Sequence, residues 1–167
     1  RDWSSDVCSS DLFIVTYQEA INLDPLFKID VTDPGNMKVK GLVSVDGFSS
    51  YTINFEGGYT VGVGEDGAGG IKISLFATEK DLPREINSFV KNNAYSEATD
   101  NSKAFCVDKS RKLFAVPIIE IVDAATLTER LYFYRITDEG ELEELGFVEN
   151  RESFAYQSES EIRVQDL

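Results

Sequence analysis

Apolar residues in this chain recur at every second position. Phe27, Ile29 and Val31 share one parity, and Ile71, Ile73 and Leu75 share another. A backbone that points successive side chains to opposite faces matches this period, so each stretch reads as a half-buried β-strand. Strands are expected at 13–17, 26–31, 39–45, 51–55, 59–63, 71–76, 87–90, 104–107, 113–118, 131–136, 142–148 and 162–164. Turn text separates them: Thr32-Asp33-Pro34-Gly35-Asn36, Glu56-Gly57-Gly58 and Asp138-Glu139-Gly140. The one helix-like stretch, 80–88, contains Pro83 and has no sustained apolar face of period 3.6, so it reads as a loop. The fold class is all-β.

The strands also repeat. Leu26-Phe27-Lys28-Ile29-Asp30-Val31, Gly70-Ile71-Lys72-Ile73-Ser74-Leu75 and Arg130-Leu131-Tyr132-Phe133-Tyr134-Arg135-Ile136 are each followed by a polar turn and a further strand. Between consecutive copies lies another strand pair, 51–63 in the first gap and 104–118 in the second. Four strands per roughly 40–60 residues is the period of one β-propeller blade. The expected fold is thus a fragment of about two to three four-stranded antiparallel blades; a β-sandwich of hairpins is the structural alternative.

Segments in order along the chain strengthen this expectation. Asp24-Pro25-Leu26-Phe27-Lys28-Ile29-Asp30-Val31-Thr32-Asp33-Pro34, Gly41-Leu42, Gly47-Phe48-Ser49-Ser50-Tyr51 and Gly62-Val63-Gly64-Glu65 come first. Ile71-Lys72-Ile73-Ser74-Leu75-Phe76, Ser96-Glu97-Ala98, Lys103-Ala104-Phe105 and Leu113-Phe114-Ala115-Val116-Pro117 follow. This text resembles a family of secreted bacterial and archaeal β-propellers distantly related to WD-repeat proteins. The resemblance implies a propeller fold and an extracellular or cell-envelope location, and it implies no reaction. The family usually carries a histidine just before Lys103-Ala104-Phe105, where this chain has Asn101-Ser102. Any role of that histidine is absent here.

Arg1–Leu12 is polar and unpatterned, and it resembles a translated sequencing adapter of the kind found at the ends of metagenomic genes. It is expected to be an artefactual, disordered segment, leaving 13–167 as a partial propeller domain incomplete at both ends. An open arc of blades would leave apolar faces uncovered, so an aggregation-prone or molten chain is expected. Without Arg1, Asp2, Asp6 and Asp11, the 16 basic and 30 acidic residues become 15 and 27. So acidic a chain is a poor partner for phosphate backbones or anionic membranes. No apolar run reaches the ~18 residues of a spanning helix. There is no histidine, which removes triads, Cys-His dyads and His-ligated metals. Setting Cys8 aside leaves Cys106, between apolar neighbours, read as a buried strand thiol.

Several motifs bear on chemistry. Gly62-Val63-Gly64-Glu65-Asp66-Gly67 spells a dinucleotide fingerprint, but it leads into a strand rather than a helix and carries two acids where a phosphate would sit. It reads as a strand connector. Glu65 and Asp66 are candidate calcium ligands, against the simpler reading of a solvated acidic loop. Asp33, ahead of Pro34, reads as the cap of the turn leaving the strand. The polar insertion 91–102 is expected on a propeller face, with Ser96, Glu97 and nearby Lys103 as contacts for a ligand or partner. Tyr132 and Tyr134 share one face; they read as packing between blades or as a stacking platform for sugar rings. No cofactor is required by these residues. The expected function is a binding or scaffolding module for a protein or carbohydrate at the cell surface. The alternative is a propeller hydrolase of glycans or peptides using Asp and Glu, for which one sequence singles out no pair.

Overall fold

In a computed structural model of the chain, residues 11–15, 23–79, 82–123 and 126–149 are described. They form three antiparallel sheets in chain order. The first pairs β1 (Asp11–Val15), β2 (Leu23–Asp30) and β3 (Lys38–Asp46). The second runs β4 (Phe48–Phe55), β5 (Tyr59–Glu65), β6 (Ile71–Ala77) and β7 (Arg84–Lys91). In the third, β10 (Leu113–Ile121), β11 (Leu127–Ile136) and β12 (Leu142–Glu149) follow one another. The short β8 (Ala94–Tyr95) and β9 (Cys106–Asp108) both pair with β10.

The middle sheet decides between a propeller and a sandwich. On one face, Ile53, Phe55, Val61, Val63, Ile71, Ile73 and Leu75 pack against Phe114, Val116, Ile118, Tyr132, Tyr134 and Ile136 of the third sheet. On its opposite face, Phe76 clusters with Leu26 and Val43 of the first sheet. Thr60 and Ser74, which share that face, are fully or almost fully buried. A two-sheet sandwich buries one face of each sheet. Here the second sheet is covered on both, as in a stack of blades.

Local residue choice explains the close approach. A side chain at Gly62 would meet the Ser49 hydroxyl and the Phe76 ring, so glycine lets that ring lie on the strand. Lys28, buried in the first sheet, sends its ammonium to the Thr78 carbonyl of the second at 2.6 Å. Aromatic rings continue the contact between the second and third sheets: Tyr51 meets Phe105, Phe105 stacks on Phe114, Phe114 on Tyr134, and Tyr134 meets Phe89.

The sheets divide the repeated text out of phase. Its three copies fall on β2, β6 and β11, each the next-to-last strand of its sheet, and the strand after each copy closes that sheet. The pair that follows opens the next sheet. Other boundaries also move. Asp11 and Leu12, set aside with the adapter-like segment, pair with Asp30 and Ile29 in β1. Residues 84–86, read as loop, belong to β7: after buried Pro83, Arg84 and Glu85 pair with Ala77 and Phe76 of β6, and a bulge at Ile86 leads into the expected strand at 87–90. Ser102–Ala104 is a 3-10 turn, and the strand starts only at Cys106. The Cys106 thiol is exposed rather than buried, since Cys106 pairs with Ala115 on the face of the third sheet turned away from the second. The strand expected at 162–164 lies outside the described residues.

Candidate functional site

Two groups of polar side chains stand out, one between sheets and one at the turns of the third sheet. The first begins at Lys91, the last residue of β7. Its ammonium lies 3.0 and 2.9 Å from the two carboxylate oxygens of Glu144 and 4.2 Å from the centre of the Tyr132 ring. The Tyr132 hydroxyl donates to Glu120 Oε1 at 2.8 Å. Arg130 pairs with Glu120 and, at 3.0 Å, with Glu149, while its guanidinium stacks 4.5 Å from the Phe147 ring centre. Strand register supplies this arrangement: Tyr132 lies opposite Phe147 and Arg130 opposite Glu149. Burial, then the Glu120 hydrogen bond, raises the pKa of the Tyr132 phenol. Burial and the neighbouring Glu144 charge raise that of Tyr134 further, and its hydroxyl lacks a hydrogen bond of normal geometry. Both phenols therefore stay neutral at any ordinary pH.

The second group surrounds a recess of about 410 Å³, lined by Ser110, Arg111, Lys112, Arg135, Ile136, Thr137, Asp138 and Glu139. Two turns form it. In the β9–β10 turn, Asp108 accepts from the Ser110 hydroxyl at 2.6 Å and the Arg111 amide at 3.1 Å, and Lys112 takes the left-handed φ of 54°. The Ser110 and Arg111 contacts lower the pKa of Asp108. In the β11–β12 turn, Gly140 donates to the Thr137 carbonyl at 3.0 Å, and the Thr137 hydroxyl accepts from the Glu141 amide at 3.2 Å. The Ile136 amide donates to the Lys112 carbonyl at 3.0 Å and ties the two turns together.

The residues singled out from sequence fall elsewhere. Ser96 is buried; its hydroxyl donates to the Pro117 carbonyl at 2.5 Å and accepts from the Ala98 amide, so it anchors a 3-10 turn at Glu97–Thr99 and offers nothing outward. The insertion is thereby held on the core rather than projecting as a free loop, with Ala98 buried. Glu97 and Lys103 are exposed. Asn101, in the Asn101-Ser102 pair that stands where the family usually has a histidine, caps the next turn by accepting from the Lys103 amide and donates to Glu97. Tyr132 and Tyr134 are buried in the packing between sheets and present no ring face for a sugar. Asp66 accepts from the amides of Ala68 and Gly70, both at 2.8 Å, which commits its Oδ1 to the turn. Glu65 is exposed at the end of β5. Among the described residues, no group of three or more Asp, Glu or Cys is placed to hold a metal. The glycine-rich fingerprint spans a hairpin between β5 and β6, as its leading into a strand implies. Sequence reasoning missed the recess, although Lys109-Ser110-Arg111-Lys112 is conspicuous basic text in so acidic a chain.

A family model described as a β-propeller domain matches residues 4–166. The chain belongs to the β-propeller domain family. This propeller chain is 34% identical over 106 residues to an uncharacterized protein of Archaeoglobus fulgidus and 36% identical over 106 residues to one of Methanocaldococcus jannaschii. Each alignment takes in 63% of this chain, and 16% and 17% of those relatives respectively. A crystal structure of a protein from Lactobacillus plantarum aligns with 83% of this chain and 52% of its own, at a TM-score of 0.43 and 13% identity.

Proposed function

We propose that this propeller chain is part of an extracellular or cell-envelope binding or scaffolding module with no catalytic role. The observation that carries this reading is the recess on the third sheet, where two turns of a rigid sheet bring three cations, two acids and two hydroxyls to one place. Binding residues concentrate on loops held by a rigid scaffold. The carboxylates that the fold gathers between sheets are engaged otherwise: Glu120 and Glu149 on Arg130, Glu144 on Lys91. That favours binding over hydrolysis by paired carboxylates, since a catalytic carboxylate has to reach the bond it acts on rather than a neighbouring cation. Glu97 and Lys103 add an exposed contact area on the insertion. The location rests on the family resemblance, and the partner is a carbohydrate or protein of the cell surface. Among the described residues no helix is long and apolar enough to cross a membrane.

The test is retention of the labelled chain on isolated cell-envelope polysaccharide and protein fractions, with released sugars and peptides assayed in parallel. Retention without product release is expected; turnover of either fraction would replace this reading with the hydrolase. A calcium requirement at Glu65 and Asp66 would show as a lower melting temperature on adding chelator, and the melting temperature is expected to stay unchanged.

A further inference from the structure

We propose that the recess between the β9–β10 and β11–β12 turns takes an acidic sugar, with its cations on the sugar carboxylate and its acids on the sugar hydroxyls. This deepens the binding reading above and rests on it. The lining holds Arg111, Lys112 and Arg135 against Asp138 and Glu139, whereas the whole chain has 16 basic residues to 30 acidic ones. Asp108 and Glu143 stand beside Arg111 and Arg135, so the recess gathers three cations rather than a net positive charge, and on so acidic a chain that is where an anion is best tolerated.

Two of the cations are loosely held. Arg111 is largely exposed and meets Asp108 at 3.7 Å, and Lys112 meets the fully exposed Asp138 at 3.9 Å, with its ammonium 5.9 Å from the Tyr59 ring centre. Ion pairs this loose and this wet contribute little, so a ligand carboxylate displaces them at small cost. Arg135 is held by Glu143 at 2.7 and 3.1 Å, which fixes its guanidinium at the rim.

The two acids choose among anions. Free sulfate or phosphate carries its charge without an array of hydroxyl donors, so Asp138 and Glu139 would only repel it. A glutamyl peptide offers a carboxylate but few hydroxyls. A uronic acid offers one carboxylate and several hydroxyl donors, which suits three cations beside two carboxylates and the Ser110 and Thr137 hydroxyls. The volume, about 410 Å³, lies within the usual span of small-ligand pockets, roughly 300–1,000 Å³.

The experiment is surface-plasmon binding to the 167-residue chain immobilised at low density, which suppresses self-association. The probes are trigalacturonate, neutral galactotriose, sodium sulfate and triglutamate. Trigalacturonate is expected to bind, to weaken with added salt, and to exceed the other three by roughly tenfold or more. Arg111→Gln and Lys112→Asn should each weaken it by roughly tenfold; asparagine tolerates the left-handed backbone at position 112, and circular dichroism checks that both variants fold. Asp138→Ala and Glu139→Ala should weaken it too. Tighter binding in either alanine variant, or sulfate binding as tightly, would mean a plain anion site and overturn the proposal. Triglutamate binding as tightly would point to an acidic peptide instead. Trigalacturonate binding untouched by all four substitutions would move the ligand away from the recess and leave the binding-module reading standing. No binding of trigalacturonate, with retention on envelope fractions intact, would defeat the acidic-sugar assignment alone; loss of both would defeat the two readings together.

Discussion

Gly140 has a φ of +82°, and a Cβ there would lie 2.2 Å from the Tyr59 hydroxyl of the neighbouring sheet. Gly69 has a φ of +89° with nothing within 4 Å of the same position. Alanine at either site meets backbone strain of about 1 kcal/mol, but only at Gly140 does it also press the third sheet off the second. Gly140→Ala should therefore lose roughly 1–3 kcal/mol more than Gly69→Ala, a difference read from urea midpoints. Asp30 gives a pH signature. Its carboxylate is bound by the hydroxyl and amide of Thr32 and by Lys40, which lower its pKa from 3.8 to about 2. The folded value lies below the unfolded one, so this contribution is fully present above about pH 4. It fades as the pH falls toward about 2. The stability difference between the parent chain and Asp30→Asn should shrink over that interval in melts recorded at successive pH values.

At the scale of the element, β11 carries two tyrosines with different duties. The Tyr132 hydroxyl bonds Glu120, whereas the Tyr134 hydroxyl is buried without a bond of normal geometry. Tyr132→Phe should cost about 1–2 kcal/mol by leaving part of the Glu120 carboxylate unsatisfied. Tyr134→Phe should be neutral or slightly stabilising, while Tyr134→Ala, which empties the aromatic stack, should cost about 3–5 kcal/mol; chemical denaturation of the three variants checks the order. The strands themselves were legible in the text, because alternation reports directly which face is buried. β5 and β6 follow it even though their sheet is covered twice, since Thr60 and Ser74 bury their hydroxyls on partners, Asn54 and Glu85. Sheet membership was less legible. The repeated text begins at β2, β6 and β11 because the last hairpin of each sheet is its most self-similar part, whereas the boundary between sheets falls at Gly47 and at Asn92-Asn93. The recess was not legible as a site: Lys109–Lys112 and Arg135 are far apart in sequence, and only the pairing of β10 with β11 brings Arg135 opposite Leu113, beside that turn.

At the scale of the whole molecule, the two outer sheets among the described residues each present an apolar face. On the first sheet, Val39 and Leu42 are exposed opposite Ile29 and Phe27. On the third, Ile121, Leu127 and Val148 are exposed around Leu131 and Phe133. Faces of this kind bind one another head to tail, and such contacts need not close. The 167-residue chain is therefore expected to self-associate as its concentration rises, and Leu127→Lys with Val148→Lys to lower the scattered light. A monodisperse solution with a cooperative melt before any substitution would contradict this. The offset between repeated text and sheet boundaries has a practical result for recombination. A deletion running from Gly47 to Asn92 excises one complete layer and leaves its two neighbours whole. A deletion of similar size framed on the duplicated words, 26–69, cuts through two layers and leaves one strand of the first sheet and two of the second. Recombination of such modules is expected to keep whole layers at the glycine and asparagine joints, whereas the repeated wording marks places that cut through them.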